Sequence, residues 1–300
     1  MQKPLNFLLC PSYHGATLVS LLCNNHSQMV GLGDTLPHRS HLDFYCSCGK
    51  TIEKCEFWTL LAENTRANRF VQQRHLLPIA PRLRKDPIAN ARLTTAMART
   101  GHRFGFNPWM ITPWAGREFV ASIEDVAEFA CRFHDTPVFL DGAKNVNRVI
   151  AYVMIAKPRK TRILHLTRDP RAYAYSSIRN NPEENPSVTN AIRDWKSYHS
   201  HVLDIVSSMR GVECLTIRYE DLCASPNDTM GRIFNFFDLE NETVTKPPTP
   251  PHHLIGNRML VGFDGKVSLD TRWIEELPFE LKEAVWEGTE NVAARLGYVW

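Results

Sequence analysis

Residues 162–178 read RILHLTRDPRAYAYSSI. Arg162 to Leu166 is a mostly apolar run of strand length, and Thr167-Arg168-Asp169-Pro170 breaks it. Arg171 to Ile178 then opens a helix. Asp169 suits the N-cap, and Pro170 suits the first helical position, where its missing N–H costs nothing. The same unit recurs on both sides. Upstream, Leu5–Cys10 is an apolar run, Pro11–Gly15 breaks it, and ATLVSLLC (16–23) starts a helix. Gln28–Leu32 reads as a second short strand closed by Gly33-Asp34. Thr51–Asn68 reads as one amphipathic helix with Phe57, Leu60 and Leu61 on a face, and Arg117–Phe133 as another. PVFL (137–140) reads as a buried strand that runs into Asp141-Gly142-Ala143-Lys144 and a helix over Val146–Ala156. Downstream come a long helix over Thr189–Met209 through Trp195, the strand ECLTI (213–217), the polar end Arg218–Leu222, and a helix over Pro226–Phe237.

Strands alternating with helices of this length predict an α/β domain, with a parallel sheet and right-handed crossovers. Ligands in such folds sit beyond the carboxyl ends of the strands. The polar residues gather at those ends: 11–17, 34–35, 141–144, 167–170 and 218–221. Residues 69–116, rich in Arg and Pro, break the pattern and read as an insertion, either solvated or an acceptor-binding flap.

The 300 residues carry 35 Lys+Arg against 32 Asp+Glu, a net charge of +3, with 43% hydrophobic and 22% charged residues. That balance excludes a collagen, a disordered tail and a coiled coil, and is too weakly basic for a dedicated nucleic-acid binder. No stretch reaches the roughly 18 apolar residues of a membrane span, and the first residues lack a secretory pattern, so a cytoplasmic location is expected. In that setting three glycosylation sequons, at Asn25, Asn227 and Asn241, read as chance.

Gly15-Ala16-Thr17 forms a glycine-bearing loop before a helix, which presents backbone N–H groups to an anion. No GxxxxGK[ST] is present, which argues against a nucleoside-phosphate kinase. Arg168, Ser176 and Arg179 offer three further anion donors at a strand end.

The run LHLTRDPRAYAYSSIRN (164–180) resembles the 3′-phosphate-binding segment of sulfotransferases that use 3′-phosphoadenosine 5′-phosphosulfate (PAPS). LLCPSYHGATLVSLLCNNHSQMVGLGDT (8–35) is similar to their 5′-phosphosulfate loop and following helix, and DGAK (141–144) to an Asp-x-x-Lys segment of the carbohydrate and tyrosylprotein branches. IRYEDLCASPNDTMGRIFNFFDL (217–239), HHLIGNRMLVGFDGKVSLDTRW (252–273) and CSCGKTIEKCEFW (46–58) resemble further segments, the last seen in many bacterial members. The matches keep the family's order from residue 5 to about 275.

The resemblance implies a single P-loop-like α/β domain over 1–300: a central parallel sheet flanked by helices, a helical or irregular insertion near 69–116, and a closing segment near 245–300. It implies transfer of a sulfuryl group from PAPS to a hydroxyl or amine of a small-molecule or saccharide acceptor. PAP is left as product, and no metal, nucleic acid or membrane span is required. The group passes in line through a loose transition state, so such an enzyme needs donors at the 5′-phosphate, a cation at the bridging oxygen and a base for the acceptor. By position Gly15, Ala16, Thr17 and Leu18, with Tyr13 and His14, form the 5′ cradle. Lys144 is the cation, Asp34 the base, and Arg168, Ser176 and Arg179 the 3′-phosphate donors. Tyr219 packs on the adenine, and Asn257 and Arg258 close over the nucleotide. Residues 35–45, the insertion and the helix through Trp195 would set the acceptor.

The family's loop carries Arg or Lys where this chain has Tyr13. Losing a charge-assisted contact costs the transition state several kcal/mol. A protonated His14 is one replacement, another cation a second, and a nucleotide-binding protein with weak or no catalysis the alternative. Five of the eight cysteines are scattered singly and read as reduced core thiols. Cys46, Cys48 and Cys55 cluster. Free thiols packing a loop, a Cys48–Cys55 disulfide, and zinc with His38 or His41 are the readings; C-x-C-x₆-C fits no strong zinc signature, so zinc ranks last and no metal ligand is assigned.

Overall fold

The side chains of β1 (Leu5–Leu9) alternate between two apolar layers: Leu5, Phe7 and Leu9 join one, Leu8 the other. A strand buried on both faces belongs in the middle of a parallel sheet. The computed structural model, which describes residues 4–35, 45–65, 113–156, 160–180, 187–243, 252–254 and 265–300, places it there. With β2 (Met29–Gly31), β3 (Val138–Asp141), β4 (Thr161–Thr167) and β5 (Val212–Arg218) it forms a sheet of order β2-β3-β1-β4-β5. Every pairing is parallel, with Leu5–Leu9 in register with Thr161–His165 and Asn6 opposite Leu140.

Helices cover both faces. α1 (Ala16–Cys23) packs its Leu18, Val19 and Leu22 with Leu164, Leu166 and Ile217 of the sheet. α2 (Glu56–Asn64), α3 (Pro113–Phe133) and α4 (Val146–Ile155) cover the other face, where Trp58, Ile123 and Ile150 join Phe7 and Ile163. The predicted 51–68 helix is broken: a 3₁₀ turn at Ile52–Lys54 gives way to an extended Cys55 (φ −85°, ψ 121°), and only then does α2 begin. The break turns Cys55 inward toward Cys46 and Cys48. Residues 66–68 of that prediction, and 69–112 of the insertion, lie outside the described residues; 113–116 belong to α3.

α5 (Pro170–Asn180) starts as its sequence predicts, with Asp169 Oδ1 accepting from the Arg171 N–H at 2.8 Å. α6 (Val188–Ser208) is capped by Ser187, whose Oγ accepts from the Asn190 N–H at 3.1 Å. After β5 there is no polar loop: α7 (Tyr219–Ala224) starts at once with Glu220 and Asp221 in its first turn, and α8 (Pro226–Phe236) follows. The C-terminal part contains α9 (Trp273–Glu276) and α10 (Phe279–Ala293). α10 packs on α5 and α6 as part of the helical layer. Its role is a buttress: Arg171 lies over the rings of Trp273, Trp286 and Trp300 at 5.0, 5.2 and 5.2 Å. Tyr298 meets Thr167 Oγ1 at 2.9 Å and donates to Glu220. The β4–α5 turn is thereby fixed from three elements. Of the five scattered thiols, all free, Cys10 and Cys23 are fully buried, while Cys131, Cys214 and Cys223 are half-buried. Among the described residues no helix is long and apolar enough to cross a membrane.

Candidate functional site

The chain leaves β1 toward β2 on one side and, after β3, crosses to β4 on the other, so the carboxyl end of β1 is the switch point of the sheet. A cavity of ≈ 220 Å³ opens there. Its walls are Ser12, Tyr13, Gly15, Ala16 and Thr17 of the loop, with Ser20, Gly33-Asp34, Gly142, Lys144 and His253.

The loop has the backbone of an anion cradle. Gly15, at the N-cap of α1, holds φ +88°, and the N–H groups of Ala16, Thr17 and Leu18 precede the first intrahelical bond, from Val19 N–H to Gly15 O at 3.0 Å. Leu18 contributes its N–H alone, since its side chain is 2% exposed in the core. Only glycine fits at 15: a Cβ would lie 2.6 Å from the Tyr219 ring. Tyr219 is itself buried between Gly15 and Arg168, whose guanidinium carbon stands 5.0 Å over its ring.

Lys144 and Asp34 meet across the cavity, Nζ to Oδ2 at 2.6 Å, both largely buried. Burial works against the Lys144 charge, but Asp34, Cys10 and Tyr13 more than offset it, and the lysine pKa lies above its ordinary value. Lys144 adopts φ +54°, and its carbonyl accepts from Tyr198 OH at 2.6 Å. Burial pushes the neighbouring Cys10 thiol up to about 12, so it is no nucleophile at neutral pH.

Two glycines let these strand ends touch. A Cβ on Gly142 would lie 2.5 Å from the Gly33 carbonyl oxygen, and one on Gly33, at φ +78°, would lie 2.2 Å from His253. Gly33→Ala is expected to destabilise the protein by about 1–3 kcal/mol, from the left-handed backbone and the displaced imidazole. Urea unfolding of the two proteins checks this.

Arg168 stands at the end of β4, 6% exposed. Its Nη1 donates to Tyr13 O at 2.7 Å and Ser176 Oγ at 3.2 Å, while its buried Nε and Nη2 have no hydrogen-bond partner among the described residues. Asp270 Oδ2 lies 3.9 Å from Nη2, so a carboxylate already stands at this cation. Arg179, three residues beyond Ser176, instead donates to Tyr175 OH and pairs with Glu276 at 3.3 Å. Trp195 is fully buried and donates to Arg168 O at 3.0 Å. It positions the arginine.

His14 does not replace the missing loop cation. It is fully buried, and burial pulls its pKa down to about 3. Its Nδ1–H donates to Ser12 O at 3.0 Å. The bare Nε2 then accepts from His199 Nε2–H at 3.1 Å, and His199 Nδ1 accepts from His165 Nε2–H at 2.8 Å. One proton per ring satisfies the whole chain, so all three imidazoles are neutral. His253 is neutral too, drawn to about 4 by burial. Lys144 is therefore the one cation among the described residues that line the cavity.

A family model described as the sulfotransferase family matches residues 15–243. The chain belongs to the sulfotransferase family. Two solved structures share the fold of this sulfotransferase-family protein. The sulfotransferase domain from the Synechococcus PCC 7002 olefin synthase superposes with TM-score 0.57 at 17% identity, covering 100% of this chain and 97% of that one. The sulfotransferase domain from the curacin biosynthetic pathway gives 0.52 at 17%, covering 99% of each chain. No curated protein matches the chain.

Within this sulfotransferase-family site the structure brings together Tyr13, Gly15, Ala16, Thr17, Asp34 and Lys144, with Arg168 and Ser176 behind the loop. Asn257, Arg258, His38, His41 and acceptor residues 36–44 lie outside the described residues. Sequence reasoning missed Asp270 at Arg168 and Tyr198 on Lys144, for neither carries a local pattern. Ser20 Oγ meets His253 Nε2 at 2.8 Å in the cavity wall.

Proposed function

We propose that this protein transfers a sulfuryl group from PAPS to a hydroxyl or amine of a small-molecule or saccharide acceptor. The observation that carries the reading is the buried Lys144–Asp34 pair in a cavity at the N-terminus of α1. The donor supplies the activated sulfuryl group. The N–H groups of Gly15, Ala16 and Thr17, ahead of the first intrahelical bond of α1, would hold its 5′-phosphate. Arg168 would hold the 3′-phosphate with Ser176 beside it; its buried, unbonded Nε and Nη2 support an anion there, and the phosphate would displace the Asp270 carboxylate that stands 3.9 Å from Nη2. Lys144 would stabilise charge on the leaving oxygen, and Asp34 would take the acceptor proton. Nucleotide binding without catalysis gains no support from the geometry, because cation and carboxylate face the cavity together.

Thermal unfolding with PAP, AMP, ADP and ATP–Mg²⁺ tests the donor. PAP at a hundredfold excess over its Kd is expected to stabilise by about 2.7 kcal/mol and raise the midpoint by a few degrees. AMP, which lacks the 3′-phosphate, should shift it far less. Equal shifts with AMP and PAP would remove the 3′-phosphate role of Arg168, and a preference for ATP–Mg²⁺ would favour a kinase-like reading.

A further inference from the structure

The sequence ranked zinc last for Cys46, Cys48 and Cys55 because C-x-C-x₆-C fits no strong zinc signature, and it offered only His38 or His41 as a fourth ligand. The fold supplies one, His252, 197 positions after Cys55. Sγ of Cys55 lies 3.6 Å from Sγ of Cys48 and of Cys46, and 3.1 Å from His252 Nδ1; Cys46 Sγ lies 3.6 Å from the same nitrogen. All four ligand atoms fall within 4.8 Å of one another. A tetrahedral zinc with Zn–S near 2.3 Å and Zn–N near 2.0 Å requires edges of about 3.8 Å between sulfurs and about 3.5 Å from sulfur to nitrogen. The thiols are free, their sulfurs well beyond the ~2.05 Å of a disulfide, and too close together to enclose an iron–sulfur cluster.

From this geometry we propose that Cys46, Cys48, Cys55 and His252 form a structural zinc site, separate from the sulfuryl-transfer centre. Four protein ligands close the coordination sphere, and three thiolates with an imidazole suit Zn²⁺. The thiol protons pass to solvent on binding. Cys46 and Cys55 are buried and Cys48 is exposed, which gives the ion a way in. Gly49, at φ +83°, turns the chain after Cys48. His252 is itself held at φ +50°, its ring stacked on Phe57 at 5.1 Å and edge-on to Phe133 at 5.5 Å, so its nitrogen is aimed before any ion arrives.

The ion would clamp a strap that reaches the cavity. Cys46 bridges Leu254 in antiparallel fashion, and Ser47 N–H donates to His253 O at 2.8 Å. The next ring, His253, seats on Gly33 and Ser20. Zinc therefore fixes one wall of the cavity from outside it.

The test needs neither donor nor acceptor. The full chain, purified under reductant and dialysed against metal-free buffer, is expected to hold about one zinc per chain by elemental analysis. Cobalt exchanged into it should give the strong visible absorption of a tetrahedral thiolate site. Cys55→Ser and His252→Ala should lose the stoichiometric metal, whereas Cys223→Ser keeps it. If those variants fail to fold, the cobalt spectrum of the native chain decides. A metal-free native chain that gives no cobalt spectrum overturns the proposal, as does an intact mass two hydrogens short, which marks a Cys48–Cys55 disulfide.

Discussion

Lys144→Ala is expected to lower turnover by about 10²–10³-fold while PAP still raises the unfolding temperature. The magnitude is that of removing one pre-organised donor from a developing anion, about 2.7–4 kcal/mol. The site has no substitute. Tyr13 occupies the loop position of the family's cation, His14 is neutral, and Lys144 is the one cation among the described lining residues. Nucleotide affinity should survive, because Arg168 after β4 and Ser176 in α5 stand behind Tyr13. Asp34→Asn should cost about 10²–10⁴-fold through loss of the base. The double variant should fall no further than the worse single, since the two side chains form one unit, Nζ to Oδ2 at 2.6 Å. Label transfer from PAPS into an acceptor pool, measured beside the PAP thermal shift, reads both quantities. Unchanged turnover in Lys144→Ala would remove the lysine from the chemistry. Loss of turnover and PAP binding together would make its role structural.

Between pH 7.5 and about pH 5 the protein is expected to lose about 2 kcal/mol of stability for each of His14 and His165. Burial holds both near pKa 3, and an unfolded chain restores them to about 6.5. Below pH 6.5 the unfolded state binds more protons, so stability falls as pH falls, and the loss grows until about pH 3. His199, between them, is lowered by the same burial and accepts and donates one bond each, so a proton added anywhere in the chain breaks an acceptor. Glu213, held low by bonds from Arg162 and Lys160, and Asp270, held low by Arg272, remain charged at pH 5 and do not contribute. Urea midpoints at the two pH values, with chelator in both arms so that metal loss adds nothing, measure the effect. Equal stability would mean that these rings take up protons in the folded protein as readily as in the unfolded chain.

Much of the frame was readable before any coordinates. The run 162–178 already contained a strand, a capped turn and a helix start, because Asp169 and Pro170 restrict the backbone through their own side chains. Gly15 could be placed at a helix N-terminus for the same local reason, and the structure gives it φ +88°. The break at Cys55 was not readable, since Thr51–Asn64 keeps helical periodicity and the turn is made by contacts with Cys46 and Cys48. Nor was the neutrality of His14, which follows from burial against His199, 185 positions away.

The sequence by itself determined the α/β class, the strand ends and the helix that starts after Gly15. These are properties of short segments, where sterics, capping and apolar period act within a few residues. Only the tertiary structure decided that Lys144 meets Asp34, that Gly142 touches Gly33, and that His252 completes the cysteine cluster while His253 turns into the cavity. Each of those joins parts of the chain far apart in sequence. Their meeting depends on the sheet order β2-β3-β1-β4-β5 and on the packing that holds it, which no local pattern records.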